Sequence, residues 1–259
     1  ALAGAGDLSV RAPERSGGDD IDAIARGLNQ MLARIDGLLG NIRRVSTDIA
    51  HDLRTPLTHV RQKLEVAAAS PDPAAAQEAI RLAQNEIDGI LRTFAAMLRL
   101  SEIEAGSARS RFAALDLVSL VERVADAYRP DIEAAGQTLR VDLDEATPVN
   151  GDDDLVAQAL ANLIENAMRH AGADATILVR LRSRPTETRL EVADNGPGVP
   201  ADDRERILEP FIRLDTSRST PGAGLGLAIV AAIARLHDAS LVLENAAPGL
   251  RVALVWRKL

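Results

Sequence analysis

The chain contains no cysteine and very few aromatic residues. Without cysteine there is no disulfide framework and no thiolate zinc site. Phe, Tyr and Trp make up only 2% of the 259 residues, so a core must be built from Leu, Ile, Val and Ala. Lysine is almost missing as well: Lys63 and Lys258 are the only two. The net charge is −8 and no basic tract occurs. That argues against nucleic acid as a partner, because phosphate contacts need clustered Lys and Arg. No apolar run reaches the ~18 residues of a membrane span; the best, Gly222 to Ala234, is shorter and runs into Arg235. The first residues, Ala1 to Gly6, lack the basic start and apolar centre of a signal peptide, and there is no initiator Met. The expectation is a fragment, itself soluble, whose upstream part is missing. Its length allows about two domains at ~100–200 residues each.

What is present is first a spacing. Ile21, Ile24, Leu28, Met31, Ile35, Leu38, Ile42, Val45 and Ile49 follow one another by alternating steps of 3 and 4. This is a heptad seam, which predicts a coiled coil with a second copy; the alternative is an amphipathic helix packed on its own domain. After Ile49 the apolar positions continue at Leu53, Leu57, Val60 and Leu64, where a step of 3 becomes 4. Such a stutter locally unwinds a coiled coil. His51 falls in this disturbance, two residues past a seam position, and is expected to face outward. Pro56 would bend the same helix. Ser70-Pro71-Asp72-Pro73 predicts a turn. Ile80, Ala83, Ile87, Ile90, Phe94 and Met97 then repeat at helical spacing. Two helices joined by a short turn make an antiparallel hairpin, and two hairpins a four-helix bundle. Glu104 to Arg111 reads as a linker.

Beyond the linker the pattern is mixed. Strands are expected at Leu139–Leu143, Thr176–Leu181, Arg189–Ala193, Leu241–Leu243 and Arg251–Val255, and helices at Leu117–Ala134, Asp154–His170 and Leu225–Leu236. Strands and helices do not strictly alternate, so the expected architecture is an α+β sandwich.

Three segments of this second region carry chemistry. Asp194-Asn195-Gly196-Pro197-Gly198 follows a strand. Its glycines permit close backbone approach to a ligand, and Asp194 could accept a hydrogen bond from an exocyclic amine; a plain turn is the alternative. Gly222-Ala223-Gly224-Leu225-Gly226-Leu227 opens a helix, where backbone amides suit phosphate. It is not a P-loop, because neither lysine follows a glycine, and it misses the third glycine of the dinucleotide fingerprint. Glu244, at a strand end about 20 residues on, keeps that second comparison tempting. Asn162 and Asn166 share one helix face at i and i+4, with Arg169 and His170 after them. That face can gather a metal and phosphate oxygens, or be merely solvated.

In their order these segments resemble the sensor histidine kinases of two-component systems. His51-Asp52-Leu53-Arg54-Thr55-Pro56-Leu57 looks like the phosphoacceptor box, the Asn162 helix like the N box, Asp194 to Gly198 like G1, Glu209-Pro210-Phe211 like the F box, and Gly222 to Leu227 like G2. Gly6-Asp7-Leu8-Ser9 and the seam after it look like the second half of a HAMP signal-relay module. The resemblance implies a multidomain chain: a helical hairpin forming a dimeric four-helix bundle, then an α+β two-layer sandwich of the Bergerat, or GHKL ATPase, type. The implied segments are partial HAMP and signalling helix at 1–45, dimerisation and histidine phosphotransfer domain at 46–105, linker at 106–111 and ATP-binding catalytic domain at 112–259.

The resemblance also implies roles. His51 is the phosphorylated nucleophile, Asp52 the adjacent general base, and Thr55 positions water in the reverse, phosphatase reaction. Asn166 and Asn162 hold Mg2+; Arg169, His170 and Arg213 meet the phosphates of ATP. Asp194 reads the adenine amine, and Gly196, Gly198, Gly222, Gly224 and Gly226 shape the pocket and its lid. The implied partners are a second copy and a response regulator receiver domain. The implied location is the cytoplasmic part of a bacterial inner-membrane protein, touching the membrane only through a missing upstream segment. Pro221 and Ala223 depart from the usual G2 pattern, which predicts a stiffer lid hinge and one lost hydroxyl contact. Among the four histidines, His59 lacks an adjacent acid, and His237 ends a helix, where a cation is a common structural choice.

Overall fold

A computed structural model describes residues 57–146, 148–214 and 224–258. The HAMP-like segment, the heptad seam, His51, Asp52, Thr55, Pro56, Pro221, Gly222 and Ala223 lie outside these described residues. The chain divides into two compact units, one up to Ile90 and one from Leu91.

In the first unit, helical residues 57–69 (α1) are followed by the expected turn and by a long helix, Pro73–Glu104 (α2), which continues into the second unit. Asp72 starts α2: its Oδ1 accepts from the Ala74 N–H at 3.0 Å, and Pro73 supplies a preset φ. Val60, Ala79 and Ala83 are buried. Lys63 Nζ reaches Glu86 from α1 to α2 at 2.6 Å. His59, which has no acid beside it in the sequence, has Nδ1 3.8 Å from the same Glu86, because the hairpin supplies across space what the adjacent residues do not. Along α2, Ile80, Ile87, Leu91, Phe94 and Leu98 form a stripe at heptad spacing that is 41–60% exposed in the single chain. Among the described residues no helix is long and apolar enough to cross a membrane.

The second unit is the mixed one. After α2 comes a 3-10 turn, Ser107–Arg111, so the expected linker is largely ordered. Then follow β1 (Ala113–Leu115), α3 (Leu117–Ala134), β2 (Thr138–Leu143), β3 (Val149–Gly151), α4 (Asp153–His170), β4 (Thr176–Ser183) and β5 (Glu187–Asp194). The chain continues through 3-10 turns to α5 (Gly226–Leu236), β6 (Ser240–Asn245) and β7 (Leu250–Arg257). The five long strands form one sheet in the order β2-β4-β5-β7-β6, with β2 and β4 parallel and every other pair antiparallel. β1 and β3 pair antiparallel in a separate two-stranded sheet, which sequence reasoning missed.

Strand alternation divides the large sheet into two faces. Leu139, Ile177, Val179, Leu181, Leu190, Val192, Leu250, Val252 and Leu254 are buried on the face toward the helices. Leu120, Ile132, Leu160, Ile164 and Ile233 supply the helical half of that core. The opposite face is held by charges. Glu191, buried on that face, accepts from Arg180 at 3.1 Å and Arg189 at 2.9 Å. Arg189 also binds Glu244 at 2.7 Å, and Arg251 approaches both carboxylates at 3.7 Å. Glu244 is therefore part of an ion network on the sheet, which ends the comparison with a ribose-binding acid. The α+β two-layer expectation holds.

His237, expected as a helix-end cation, is instead a buried neutral ring. Its Nε2 accepts the Asp152 N–H at 3.0 Å, and its Nδ1 lies 2.8 Å from the Ile233 carbonyl. An imidazole that accepts at one nitrogen and meets a carbonyl at the other carries its single proton on Nδ1. Phe112 stacks on the ring with centroids 4.6 Å apart. Gly151 is needed beside it, since a Cβ there would lie 2.8 Å from the ring. Burial pushes the His237 pKa below 6.5, outweighing the upward pull of the Ile233 carbonyl, Asp152 and Asp238; Arg109 adds to the fall.

The sign of the linkage follows. The unfolded chain takes up a proton near pH 6.5 that folded His237 refuses, so stability falls as pH drops below that value and is unaffected above it. His170 adds in the same direction. Denaturant midpoints are expected to fall between pH 7.5 and 5.5, above the carboxylate range, and to fall less in His237→Gln. An equal fall in both proteins would contradict the neutral assignment.

Candidate active site

α4 is built to aim its last turn. Asp152 caps it, with Oδ1 accepting the Leu155 N–H at 3.1 Å, and Asp153 and Asp154 suit the positive end of the dipole. Leu155, Val156, Ala159, Leu160, Leu163, Ile164 and Ala167 anchor one face in the core. Asn162 and Asn166 share another, half-buried face. Asn162 Nδ2 is buried with no hydrogen-bond partner among the described residues. Arg169 and His170 end the helix at the surface, where cations meet its negative end.

The end of β5 comes to the same place. Asp194 Oδ1 accepts the Gly196 N–H at 2.9 Å and the Leu250 N–H at 3.3 Å. Both bonds use one oxygen, so among the described residues Oδ2 accepts no hydrogen bond. Asn195 is a strut: its Oδ1 accepts the Thr176 N–H at 2.8 Å and ties β4 to the end of β5. Gly196 passes so close to the end of α4 that a Cβ would sit 2.6 Å from Ala171 Cα. At Gly198, with φ +74°, a Cβ would meet the Gly249 carbonyl oxygen at 2.9 Å.

Gly249 itself escaped sequence reasoning. With φ +103°, its Cβ would lie 1.8 Å from the Asp194 carbonyl oxygen. The β6–β7 turn thus presses directly on the back of Asp194, and only glycine permits it. Pro248-Gly249 was visible as a turn signal, but the partner it serves is 55 residues earlier.

Charges converge here as well. Part of the His170 ring is desolvated, and this, followed by Arg169 and Arg213, holds its pKa below the ordinary imidazole value against a smaller pull from Asp194. Two guanidiniums, an imidazole and a carboxylate from three segments therefore share one neighbourhood. The F-box segment joins it to G2. Phe211, with φ +65°, donates its N–H to the Gly224 carbonyl at 3.0 Å. Gly224, with φ +69°, lies so close to that segment that a Cβ would be 3.0 Å from the Ile212 oxygen. Gly226 begins α5, whose first turn has no side-chain cap, and open space lies where its Cβ would be. The described fold thus brings Arg169, His170, Arg213, Asp194, Gly196 and Gly198 to the α4 and β5 ends, ties Gly224 to the F-box segment, and leaves Asn162 and Asn166 further back along α4 and Gly226 at the α5 start.

A two-layer domain with its asparagine face, glycine turns and uncapped helix at one end defines a class of ATP-binding fold. Residues 151–258 match the histidine kinase-, DNA gyrase B- and HSP90-like ATPases, residues 41–106 the His Kinase A phospho-acceptor domain, and residues 1–37 the HAMP domain. Sensor protein IrlS of Burkholderia pseudomallei (strain K96243) is 33% identical over 241 residues, covering 92% of this chain and 52% of that protein. The chain spans about half the length of the curated relatives it matches. Histidine kinase ThkA, solved in complex with response regulator protein TrrA, superposes with TM-score 0.69 over 93% of this chain and 68% of that one, at 21% identity, a likeness of fold. Full-length ShkA in complex with AMPPNP gives TM-score 0.59 at 25% identity, covering 82% of this chain and 45% of that one. The chain belongs to the two-component sensor histidine kinases.

Proposed function

We propose that this chain binds ATP at the junction of α4, β5 and α5, moves its γ-phosphoryl group to His51, and passes it to an aspartate of a response regulator receiver domain. The reverse, phosphatase reaction would use Thr55 to position water. The observation that carries the nucleotide reading is that Arg169, Arg213 and Asp194 all act on His170 at the end of α4, while among the described residues Asp194 Oδ2 accepts no hydrogen bond. The AMPPNP complex of ShkA supports ATP as the ligand. The ThkA–TrrA complex supports a regulator as the partner.

Asp194 Oδ2 would accept the adenine amine, while Oδ1 stays fixed by two backbone N–H groups. Arg169 and Arg213 would neutralise phosphate charge, the main requirement of a loose phosphoryl-transfer transition state. The amides at the Gly226 end of α5 would add donors at that charge. Gly222 would belong to the same lid. Among the described residues no three His, Cys, Asp or Glu side chains could hold a metal. The asparagine pair suits a cation that arrives with its phosphates, as Mg2+ does. The carboxamide of Asn162, with its buried, unpartnered end, fits that use, since turning it would present Oδ1 instead. Bound Mg2+ would supply charge neutralisation between phosphate oxygens; Asn166 and Asn162 would hold it.

At the acceptor, the neutral imidazole of His51 would be the nucleophile, the form an unperturbed histidine mostly takes at pH 7. Asp52 would take the proton from one ring nitrogen while the other forms the N–P bond and ADP leaves. The segments would divide as 1–45 signalling helix, 46–105 phosphotransfer domain, 106–111 linker and 112–259 catalytic domain. The exposed stripe of α2 would be covered by a second copy, completing a four-helix bundle. In the longer protein this chain would be the cytoplasmic portion of an inner-membrane sensor.

The test is incubation with Mg2+ and either γ- or α-labelled ATP. Label is expected from γ-labelled ATP alone, acid-labile and base-stable. Sedimentation of the same sample is expected at twice the chain mass. Equal label from both nucleotides, or label stable to acid, would contradict the reading.

A further inference from the structure

Gln137 lies between α3 and β2, yet its side chain serves the end of α4. The residue is 7% exposed, and a carboxamide so buried is costly unless its groups are bonded. Its Nε2 donates to the Met168 carbonyl at 2.9 Å and to the Gly172 carbonyl at 2.7 Å, 31 and 35 residues further on. Two hydrogens meet two acceptors, which fixes the orientation of the amide: turned over, its oxygen would face two carbonyl oxygens. Oε1 has no partner among the described residues, so the NH2 end alone ties the side chain to its surroundings by hydrogen bonds.

The backbone behind this side chain is held on both sides. The Gln137 N–H donates to the Ile132 carbonyl of α3 at 3.0 Å, and the Thr138 N–H donates to the Ala175 carbonyl at 2.8 Å. The carboxamide therefore reaches α4 from a fixed base. What it grips is the turn that ends the helix. The last carbonyls of a helix lack the N–H groups of a further turn, and that of Met168 is among them. Gly172, with φ +91°, is where the chain leaves the helical path. The two gripped residues bracket Arg169 and His170. His170 is the group on which Arg169, Arg213 and Asp194 all act.

We infer that Gln137 is a positioning residue for the candidate active site, an inference that rests on the nucleotide reading of that site. Its NH2 group acts through the α4 end, setting where Arg169 and His170 stand when they meet phosphates. Asp194, assigned to the base, is held by other bonds, from the Gly196 and Leu250 N–H groups. Loss of the Gln137 donors is therefore felt at the phosphates and not at the base.

The test uses the 259-residue chain with Gln137→Met, which keeps the length and apolar body but has no donor. Gln137→Glu is the second variant; it keeps the shape and sets a carboxylate against the two carbonyls. Asp116→Ala, which removes the N-cap at the other end of α3, is the control for stability alone. Calorimetric titration of Gln137→Met is expected to show ADP affinity about tenfold below wild type and adenosine affinity within about twofold of it. Gln137→Glu is expected to lose at least as much ADP affinity. Asp116→Ala is expected to melt earlier with ADP affinity unchanged. In the free chains, amide exchange over residues 168–175 is expected to quicken about tenfold in Gln137→Met, while residues 153–160 match wild type. Unchanged ADP affinity in Gln137→Met, equal losses for ADP and adenosine, wild-type affinity in Gln137→Glu, or exchange raised alike along the whole of α4 would each overturn the assignment. A wild-type chain that binds no ADP would refute the nucleotide reading, and the role at the phosphates with it.

Discussion

Replacing Asp194 by Asn is expected to weaken ATP binding by about 30- to 150-fold while leaving the fold unchanged. The two atoms of the side chain have separate jobs. Oδ1 accepts the Gly196 and Leu250 N–H groups, and an asparagine oxygen can continue to do so. The other position becomes an NH2 group. It would then face the adenine amine as donor against donor, leaving both unsatisfied. Such a mismatch in a partly desolvated site costs about 2–3 kcal/mol, which is the stated fold-change. Calorimetric titration with ATP, beside a thermal melt of each protein, separates binding from folding. Unaltered affinity with an unaltered melt would mean that Asp194 does not read the base.

A second change, Gly249→Ala, is expected to cost more, because it cannot be absorbed locally. The added carbon would lie 1.8 Å from the Asp194 carbonyl oxygen and 2.5 Å from its carbon, both of them backbone atoms. The φ of +103° is also one that an L side chain strains to adopt. The β6–β7 turn must move away, and Leu250 N–H leaves Asp194 with it. Loss of ATP binding by more than about 100-fold is expected, with destabilisation above about 3 kcal/mol. Gly136→Ala is the control. Its φ is +75° but a Cβ there meets nothing within 4 Å, so only conformational strain of about 1 kcal/mol is expected, with ATP binding intact. Equal effects at the two positions would show that backbone conformation, not contact with Asp194, decides the matter.

These two residues also mark how far the sequence could be read. Asp194 was legible because a strand pattern ended on it and a glycine turn followed. Gly249 was not, because its requirement arises from a backbone 55 residues away, and a Pro-Gly pair looks like any turn. The helix Leu117–Ala134 was legible to its last residue: Asp116 caps it, accepting from Val118 at 3.0 Å, and its apolar spacing is regular. The strands Ala113–Leu115 and Val149–Gly151 were not. Three residues are too few to alternate, and neither strand exists without the other. His237 looked like a solvated helix-end cation because helix position was the only local information. Its true surroundings, the Asp152 N–H and the Phe112 ring, come from distant parts of the chain. Local patterns thus marked the elements and the glycine turns, while contacts across the fold determined which glycines have no room for a side chain and how His237 is held.

The central claim is that the chain phosphorylates His51, and the most direct measurement is the label from γ-labelled ATP on wild type, His51→Gln and His59→Gln in parallel. His59 is the fair control, since it lies in α1 with a carboxylate, Glu86, 3.8 Å away. Acid-labile label is expected on wild type and His59→Gln and none on His51→Gln, with ATP affinity equal in all three. Label retained in His51→Gln, or lost in His59→Gln alone, would contradict it.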